Sequence, residues 1–266
     1  MGDPQSQRLR ARLRQFPRVH ALAHTVAVRW LEPMRRTLHP SRYKETYVNQ
    51  ALAGRQRPTT YLEIGVRDGV SLRAARADRK IAIDPCQLPT MSVLRRNEEF
   101  FKTTSDEFFD KHAPDVLSER SIDVALIDGL HEFRQVLRDV LNLERYMRPD
   151  GIIFLDDCNP GDARRAAPIR EGGGPWNGDV WKIGPYLINE RPDLHFATLD
   201  ADQGVGLVTG FGGAPAPEPQ ESVVRRYKDL PYEYLDANRV ASLNLVPPEH
   251  LAVILRRIGA CEHLSR

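Results

Sequence analysis

Three acidic positions are placed to do chemistry. Asp128 sits in Ile127-Asp128-Gly129-Leu130-His131, and Asp156 and Asp157 sit in Phe154-Leu155-Asp156-Asp157-Cys158. Each follows a short apolar run that ends in a turn, the pattern of a strand whose carboxylate points into the crevice of an open α/β sheet. Neighbouring strand ends share one side-chain cluster, so the three carboxylates are expected to converge. They would repel one another without a cation, and an oxygen-only ligand set favours Mg²⁺, Ca²⁺ or Mn²⁺ over zinc. The plainer reading makes Asp128 a cap for a helix starting near Glu132, leaves the Asp pair to water and backbone amides, and makes His131 a packing residue.

A second group lies upstream, in Glu63-x-Gly65-x-x-x-Gly69 followed by Asp84 after Ile81-Ala82-Ile83. A dinucleotide turn has three glycines as G-x-G-x-x-G, and the third is absent here. An acid before the first glycine repels a pyrophosphate but accepts hydrogen bonds from a cationic amino-acid ligand, while Gly65 and Gly69 let the backbone bend closely around it. Asp84 follows Glu63 by about twenty residues, one strand-helix-strand step. The chemistry of that acid and those glycines suits S-adenosylmethionine better than NAD.

With these residues the chain resembles the class I S-adenosylmethionine-dependent methyltransferases, whose first motif is E/D-x-G-x-x-x-G. The resemblance covers about Thr59 to Gly210. It implies that Glu63, Gly65 and Gly69 cradle the aminocarboxypropyl part of the cofactor, that Asp84 holds the ribose hydroxyls, and that Ser105 and Asp106, after the third strand, lie near the adenine. Asp128 is expected to border the same cofactor. Asp128 with Asp156-Asp157 further resembles the metal-dependent O-methyltransferases, closest to the branch that methylates sugar hydroxyls, which implies Mg²⁺ or Mn²⁺ held by Asp128, Asp156 and Asp157. Catechol-type relatives deprotonate the acceptor with a lysine; no lysine stands at the matching place, and His131 does. A histidine is a suitable base for an alcohol whose pKa a metal lowers.

The glycine-rich stretch Gly172-Gly173-Gly174-Pro175-Trp176-Asn177-Gly178-Asp179-Val180-Trp181 reads as a hinge followed by an aromatic, polar segment. Trp176, Asn177, Asp179 and Trp181 are candidates for a saccharide acceptor pocket, since aromatic faces stack on sugar rings. Anchoring of the following helix by the tryptophans is the alternative.

The elements that must position these residues alternate strand and helix, so the expected fold is α/β, a doubly wound, mostly parallel sheet. Strands are predicted at Tyr61–Ile64, Ile81–Ile83, around Phe100–Thr103, at Val124–Ile127 and at Gly151–Leu155, with a turn at Pro149-Asp150-Gly151. Phe196–Leu199 and Val205–Thr209 read as a terminal hairpin, and Phe133, Val136, Leu137, Val140, Leu141 and Leu143 form a helical stripe. Around this core, residues 59–211, stand an arginine-rich helical arm over 1–58, a Gly/Ala/Pro linker over 212–222 and a helical tail over 223–266. The segment Tyr43–Leu52 is expected to close over the cofactor or acceptor. The tail's apolar residues need a host, either the core or a second subunit.

A composition of 41% hydrophobic and 28% charged residues is that of a globular enzyme, and the net charge of +2 makes no case for nucleic acid as partner. Three widely spaced cysteines, with no C-x-x-C pair, fit a reducing, cytoplasmic setting, and Cys158 reads as a small filler. No apolar run is long enough for a transmembrane segment. A metal-independent methyltransferase and a non-catalytic nucleotide-binding scaffold stay open as other classes.

Overall fold

The computed structural model describes residues 43–53, 55–170 and 172–264. Most of the expected N-terminal arm, residues 1–42, lies outside the described residues. The elements below belong to a compact unit that begins at Lys44.

Eight strands form one sheet: β1 (Thr60–Ile64), β2 (Arg79–Ile83), β3 (Glu98–Phe101), β4 (Ile122–Ile127), β5 (Met147–Leu155), β6 (His195–Leu199), β7 (Val205–Thr209) and β8 (Leu245–Val246). Their order is β3-β2-β1-β4-β5-β7-β6-β8. Strands β1 to β5 pair in parallel and β7 runs antiparallel to both β5 and β6. The doubly wound sheet and its terminal hairpin are therefore present as expected.

Period-two alternation divides the strand residues between two layers. Leu62, Ile64, Ala125, Ile127, Ile153 and Leu155 pack against Phe133, Val136, Leu137, Val140 and Leu143 of helix α3 (Phe133–Glu144) and against Ile183, Tyr186 and Leu187 of α4 (Ile183–Glu190). Tyr61, Val124, Leu126, Ile152 and Phe154 face the other way, onto Tyr47, Val48, Ala51 and Leu52 of α1 (Lys44–Ala53). Helix α2 (Val70–Ala74) follows the glycine turn after β1.

Helix α1 is tied to the bottom of the sheet. Arg55, just past its end, donates to Asp150 at 2.8 Å, and Arg57 donates to both Asp123 and Asp150. Asp123 is fully buried and also accepts from the backbone of Thr60. Ten residues of helix span about 15 Å, so a helix pinned there carries its first residue, Lys44, toward the opposite end.

Three expectations change. Strand β3 ends at Phe101 because Thr104 is the N-cap of the next helix, its hydroxyl accepting from Glu107 N at 3.2 Å. Pro149-Asp150-Gly151 is not a separate turn but lies within β5, at a register shift against β4 between Ile122 and Val124. The tail holds helices Glu221–Lys228, Tyr232–Leu243 and Leu251–Leu264, and between the last two a short strand, β8, joins the sheet edge beside β6. Much of the tail packs on its own chain: Leu251 is fully buried in the sheet core with Ile254 and Leu255 against it, and Leu243 is buried in a smaller cluster with Ala166, Trp181 and Leu235.

Candidate active site

The turn after β1 brings the backbone into contact with its neighbour strand. Gly65 has φ +85°, and a Cβ there would lie 2.2 Å from the carbonyl oxygen of Asp128. Gly69, φ +76°, opens helix α2. Asp84, at the tip of β2, steadies the turn: one carboxylate oxygen accepts from Val66 N and Arg67 N at 2.9 and 2.8 Å, the other from Cys86 N at 2.7 Å.

Above these strand ends opens a cavity of about 940 Å³. Gly65, Asp84, Ser105, Asp106 and Asp128 line it, as do Asp156, Asp157, His131 and Trp176. Its wall runs through Ile64 and Gly65, and Glu63 is buried behind, its carboxylate accepting from Tyr61 Oη at 2.8 Å. Burial pushes the Glu63 carboxyl up to about 8, and the Tyr61 hydrogen bond offsets only part of this. Ser105 and Asp106 both accept from Gln135, and beside them burial pushes the Asp139 carboxyl up to about 7.

The three strand-tip carboxylates converge, but their partners differ from expectation. Lys44 Nζ donates to Asp128 Oδ2 at 2.6 Å and to Asp156 Oδ2. Burial opposes the ammonium charge, yet Asp156 and Asp128 hold its pKa well above the usual lysine value. Asp157 instead faces His131, with Oδ2 2.7 Å from Nδ1. Burial alone would lower the imidazole pKa; Asp157, with Asp128 and Asp156 beyond it, raises it above 6.5. Burial also pushes Asp128 up to about 7, against the pull of Lys44. Thus a lysine does stand at the cluster, delivered by α1 rather than by the loop after Asp128. The expected approach of Tyr43–Leu52 to the cavity is realised at Lys44.

One donor atom each from Asp128, His131 and Asp157 lies within 4.8 Å of the others. Donors about 2.1 Å from a common Mg²⁺ stand at most about 4.2 Å apart, so closure by roughly half an ångström would bring these three atoms to ligand distance of one ion. With two carboxylates and one imidazole the donor set is not oxygen-only, and it suits a divalent ion without singling out Mg²⁺. Asp156, expected as the third carboxylate ligand, is outside this group.

Of the four acceptor-pocket candidates, only Trp176 lines the cavity. Its ring stacks on His131 with centroids 5.0 Å apart, and Nε1 donates to Ala167 O at 2.7 Å. Asn177 is fully buried and donates to Asp157 Oδ1 at 2.8 Å. Asp179 accepts from Phe133 N at 2.7 Å, satisfying a free amide at the start of α3. Trp181 is 1% exposed and packs with Ala166, Leu235 and Leu243. The physical reason is Gly178: at φ +64°, its Cα lies so near His131 that a Cβ would meet the His131 carbonyl oxygen at 1.8 Å. The segment braces His131 instead of spreading around the cavity. Cys158 is buried under Gly206, and burial pushes its thiol far up, so it is a filler as expected.

Sequence reasoning missed Lys44, Asp139, Gln135, Arg170 and Gln203 as cavity residues. The first is a lone lysine opening a helix, and the others stand on helices and loops with no motif around them.

Strand order, glycine turn and strand-tip acids together define the class I S-adenosylmethionine-dependent methyltransferase fold. Residues 62–158, the stretch that carries the turn and the strand-tip carboxylates, match a family described as a methyltransferase domain. Among curated proteins no sequence matches. Similar solved structures include a putative Type II methyltransferase from Anaeromyxobacter dehalogenans, 16% identical with TM-score 0.33, covering 43% of this chain and 47% of its own. Podospora anserina methyltransferase PaMTH1, bound to SAH, is 16% identical with TM-score 0.44, over 62% of this chain and 77% of its own. MycE methyltransferase of the mycinamycin biosynthetic pathway, in complex with Mg, SAH and mycinamycin VI, is 19% identical with TM-score 0.43, over 64% of this chain and 51% of its own. The chain spans about half the length of the first. Among the described residues no helix is long and apolar enough to cross a membrane.

Proposed function

We propose that this chain is an S-adenosylmethionine-dependent O-methyltransferase whose acceptor is a sugar hydroxyl of a glycoside, polysaccharide or natural product. The observation that carries the reading is one continuous cavity, lined at one end by Gly65, Asp84, Ser105 and Asp106 and at the other by Asp128, Asp156, Asp157 and His131. The first end offers a glycine turn for the aminocarboxypropyl group and a carboxylate for ribose hydroxyls. The second offers ligands and a base beside the place where a methyl group would be delivered.

Asp128, Asp156 and Asp157 are the expected ligands, with His131 near enough to join them. A divalent ion there, when bound, lowers the pKa of an acceptor hydroxyl. His131 takes the acceptor proton. Asp157 Oδ2 stands 2.7 Å from Nδ1, though without the geometry of a hydrogen bond, and Nε2 is left as the accepting nitrogen. Trp176 beside His131 supplies an aromatic face for a sugar ring, and Gln203 Oε1, buried without a hydrogen-bond partner among the described residues, awaits a hydroxyl donor. Alignment of hydroxyl and sulfonium methyl at near-attack distance supplies much of the rate.

The test is SAH formation from S-adenosylmethionine across a saccharide panel, with Mg²⁺ and with EDTA. Turnover of saccharides only with metal is the expected result; turnover of catechols alone removes the sugar reading. Full activity in EDTA supports a metal-independent methyltransferase instead, which one observation favours: Lys44 already neutralises Asp128 and Asp156.

A further inference from the structure

We infer that Lys44 is the resident countercation of the carboxylate cluster, and that a divalent ion engages the whole cluster only by displacing it. This rests on the metal site proposed above. Two basic side chains face three carboxylates, the Lys44 ammonium on Asp128 and Asp156 and the His131 imidazole on Asp157. Asp128 belongs to both groupings, since it also supplies a donor atom to the trio with His131 and Asp157. An ion bound to Asp128 would stand within about 5 Å of an ammonium left in place, a separation at which like charges in a half-dry cleft repel strongly. Lys44 also holds an oxygen of Asp156, so its departure frees that carboxylate to become a ligand. His131 can then serve as base.

The helix is built so that only its first residue need move. Glu45 accepts from Ser71 Oγ at 2.6 Å, and Asn49 bonds Ala74 O and Arg76 N. Tyr47, Val48, Ala51 and Leu52 are buried, and Arg55 is anchored at the far end of the sheet. None of these contacts involves Lys44. A flexible four-carbon stem lets its ammonium leave while α1 stays docked. Lys44 therefore sets metal affinity without holding the fold.

The experiment titrates Mn²⁺ into the full chain, without cofactor or acceptor, and follows binding by calorimetry for wild type, Lys44→Gln and Lys44→Arg. Removing the charge is expected to tighten Mn²⁺ binding by roughly tenfold or more, with Lys44→Arg close to wild type. In parallel, acetic anhydride labelling of wild type read by mass spectrometry should show Lys44 modified faster when Mg²⁺ is present. Equal or weaker Mn²⁺ binding by Lys44→Gln, with Lys44 labelling indifferent to Mg²⁺, overturns the displacement while leaving the metal site standing. If wild type and Lys44→Gln both fail to bind Mn²⁺, the metal site falls and this inference falls with it.

Discussion

Gly65 makes the sharpest test of how the cofactor turn is held. A methyl group added there would lie 2.2 Å from Asp128 O, 2.4 Å from Asp128 C and 2.5 Å from Gly129 Cα. All three are backbone atoms, so no side chain can rotate away, and each approach is about 1 Å inside ordinary contact. The φ of +85° adds a separate conformational cost of roughly 1–2 kcal/mol for an L-residue. Overpacking against a rigid neighbour adds about 1–3 kcal/mol. Gly65→Ala should therefore destabilise the chain by roughly 3 kcal/mol, the larger part of which comes from pushing β1 and β4 apart at their tips.

Two nearby glycines serve as internal controls. At Gly69 the added methyl meets the sulfur of Met91, a flexible side chain, so Gly69→Ala should cost mainly the φ penalty, about 1–2 kcal/mol. At Gly129 it meets only Ile64 Cγ2 at 3.4 Å, and Gly129→Ala should unfold close to wild type. Urea unfolding of the three variants gives the order directly, and calorimetry of S-adenosylmethionine binding to Gly65→Ala should show at least a tenfold loss, because a shift of about 1 Å misplaces Asp128. If Gly65→Ala proves as stable as Gly129→Ala, the turn opens freely and the close approach of β1 to β4 does not organise the site.

Glu63→Gln should alter how stability varies with pH. With the folded carboxyl pushed from 4.5 up to about 8, the folded state binds more protons than the unfolded state between those values, so stability is lost as pH rises through them, by roughly 3–5 kcal/mol in all. The variant should lack this decline; identical urea midpoints for both proteins at pH 5 and pH 9 would refute it. His131→Ala should cut methyl transfer by roughly 10²–10⁴-fold with cofactor affinity nearly unchanged. Burial works to lower the His131 pKa but Asp157 holds it above the usual imidazole value, so Asp157→Asn should move the acidic limb of the rate profile to lower pH. An unmoved limb means another group titrates. Trp176→Ala should raise the saccharide KM while the chain stays folded, whereas Trp181→Ala, emptying a core position, should cost about 3–5 kcal/mol of stability. Indistinguishable acceptor kinetics for wild type and Trp176→Ala would remove the stacking role.

How legible the molecule is in its sequence depends on the range of the contact. The runs Tyr61–Ile64, Ile81–Ile83 and Val124–Ile127 announce strands because short apolar stretches bounded by turns leave few other choices, and the strands found extend them by only one or two residues. Strand β8 has two residues between a helix and two prolines, too few for any periodicity, and only its pairing with β6 makes it a strand. Convergence of Asp128, Asp156 and Asp157 follows from the parallel sheet, since acids after consecutive strands must meet at one edge. The side-chain directions in the loop after Gly172 do not follow in that way. They are decided by the close approach at Gly178, which turns Asn177 under Asp157 and Asp179 under α3.

Lys44 shows where local reading stops. It contacts carboxylates 84 and 112 residues away, and nothing around Lys44 in the sequence marks it as more than a solvated helix start. Its position is fixed by elements that look unrelated to chemistry: Arg55 and Arg57 clamped to Asp123 and Asp150 at one end of the sheet, and the apolar face of α1 laid along β1 and β4. The length of that helix then carries an ammonium to the opposite end, where the strand tips gather negative charge. The sheet alone accounts for the carboxylates meeting; the anchored helix accounts for their being neutralised by protein. Any cation that enters the site must therefore compete with a charge whose position depends on the far side of the fold.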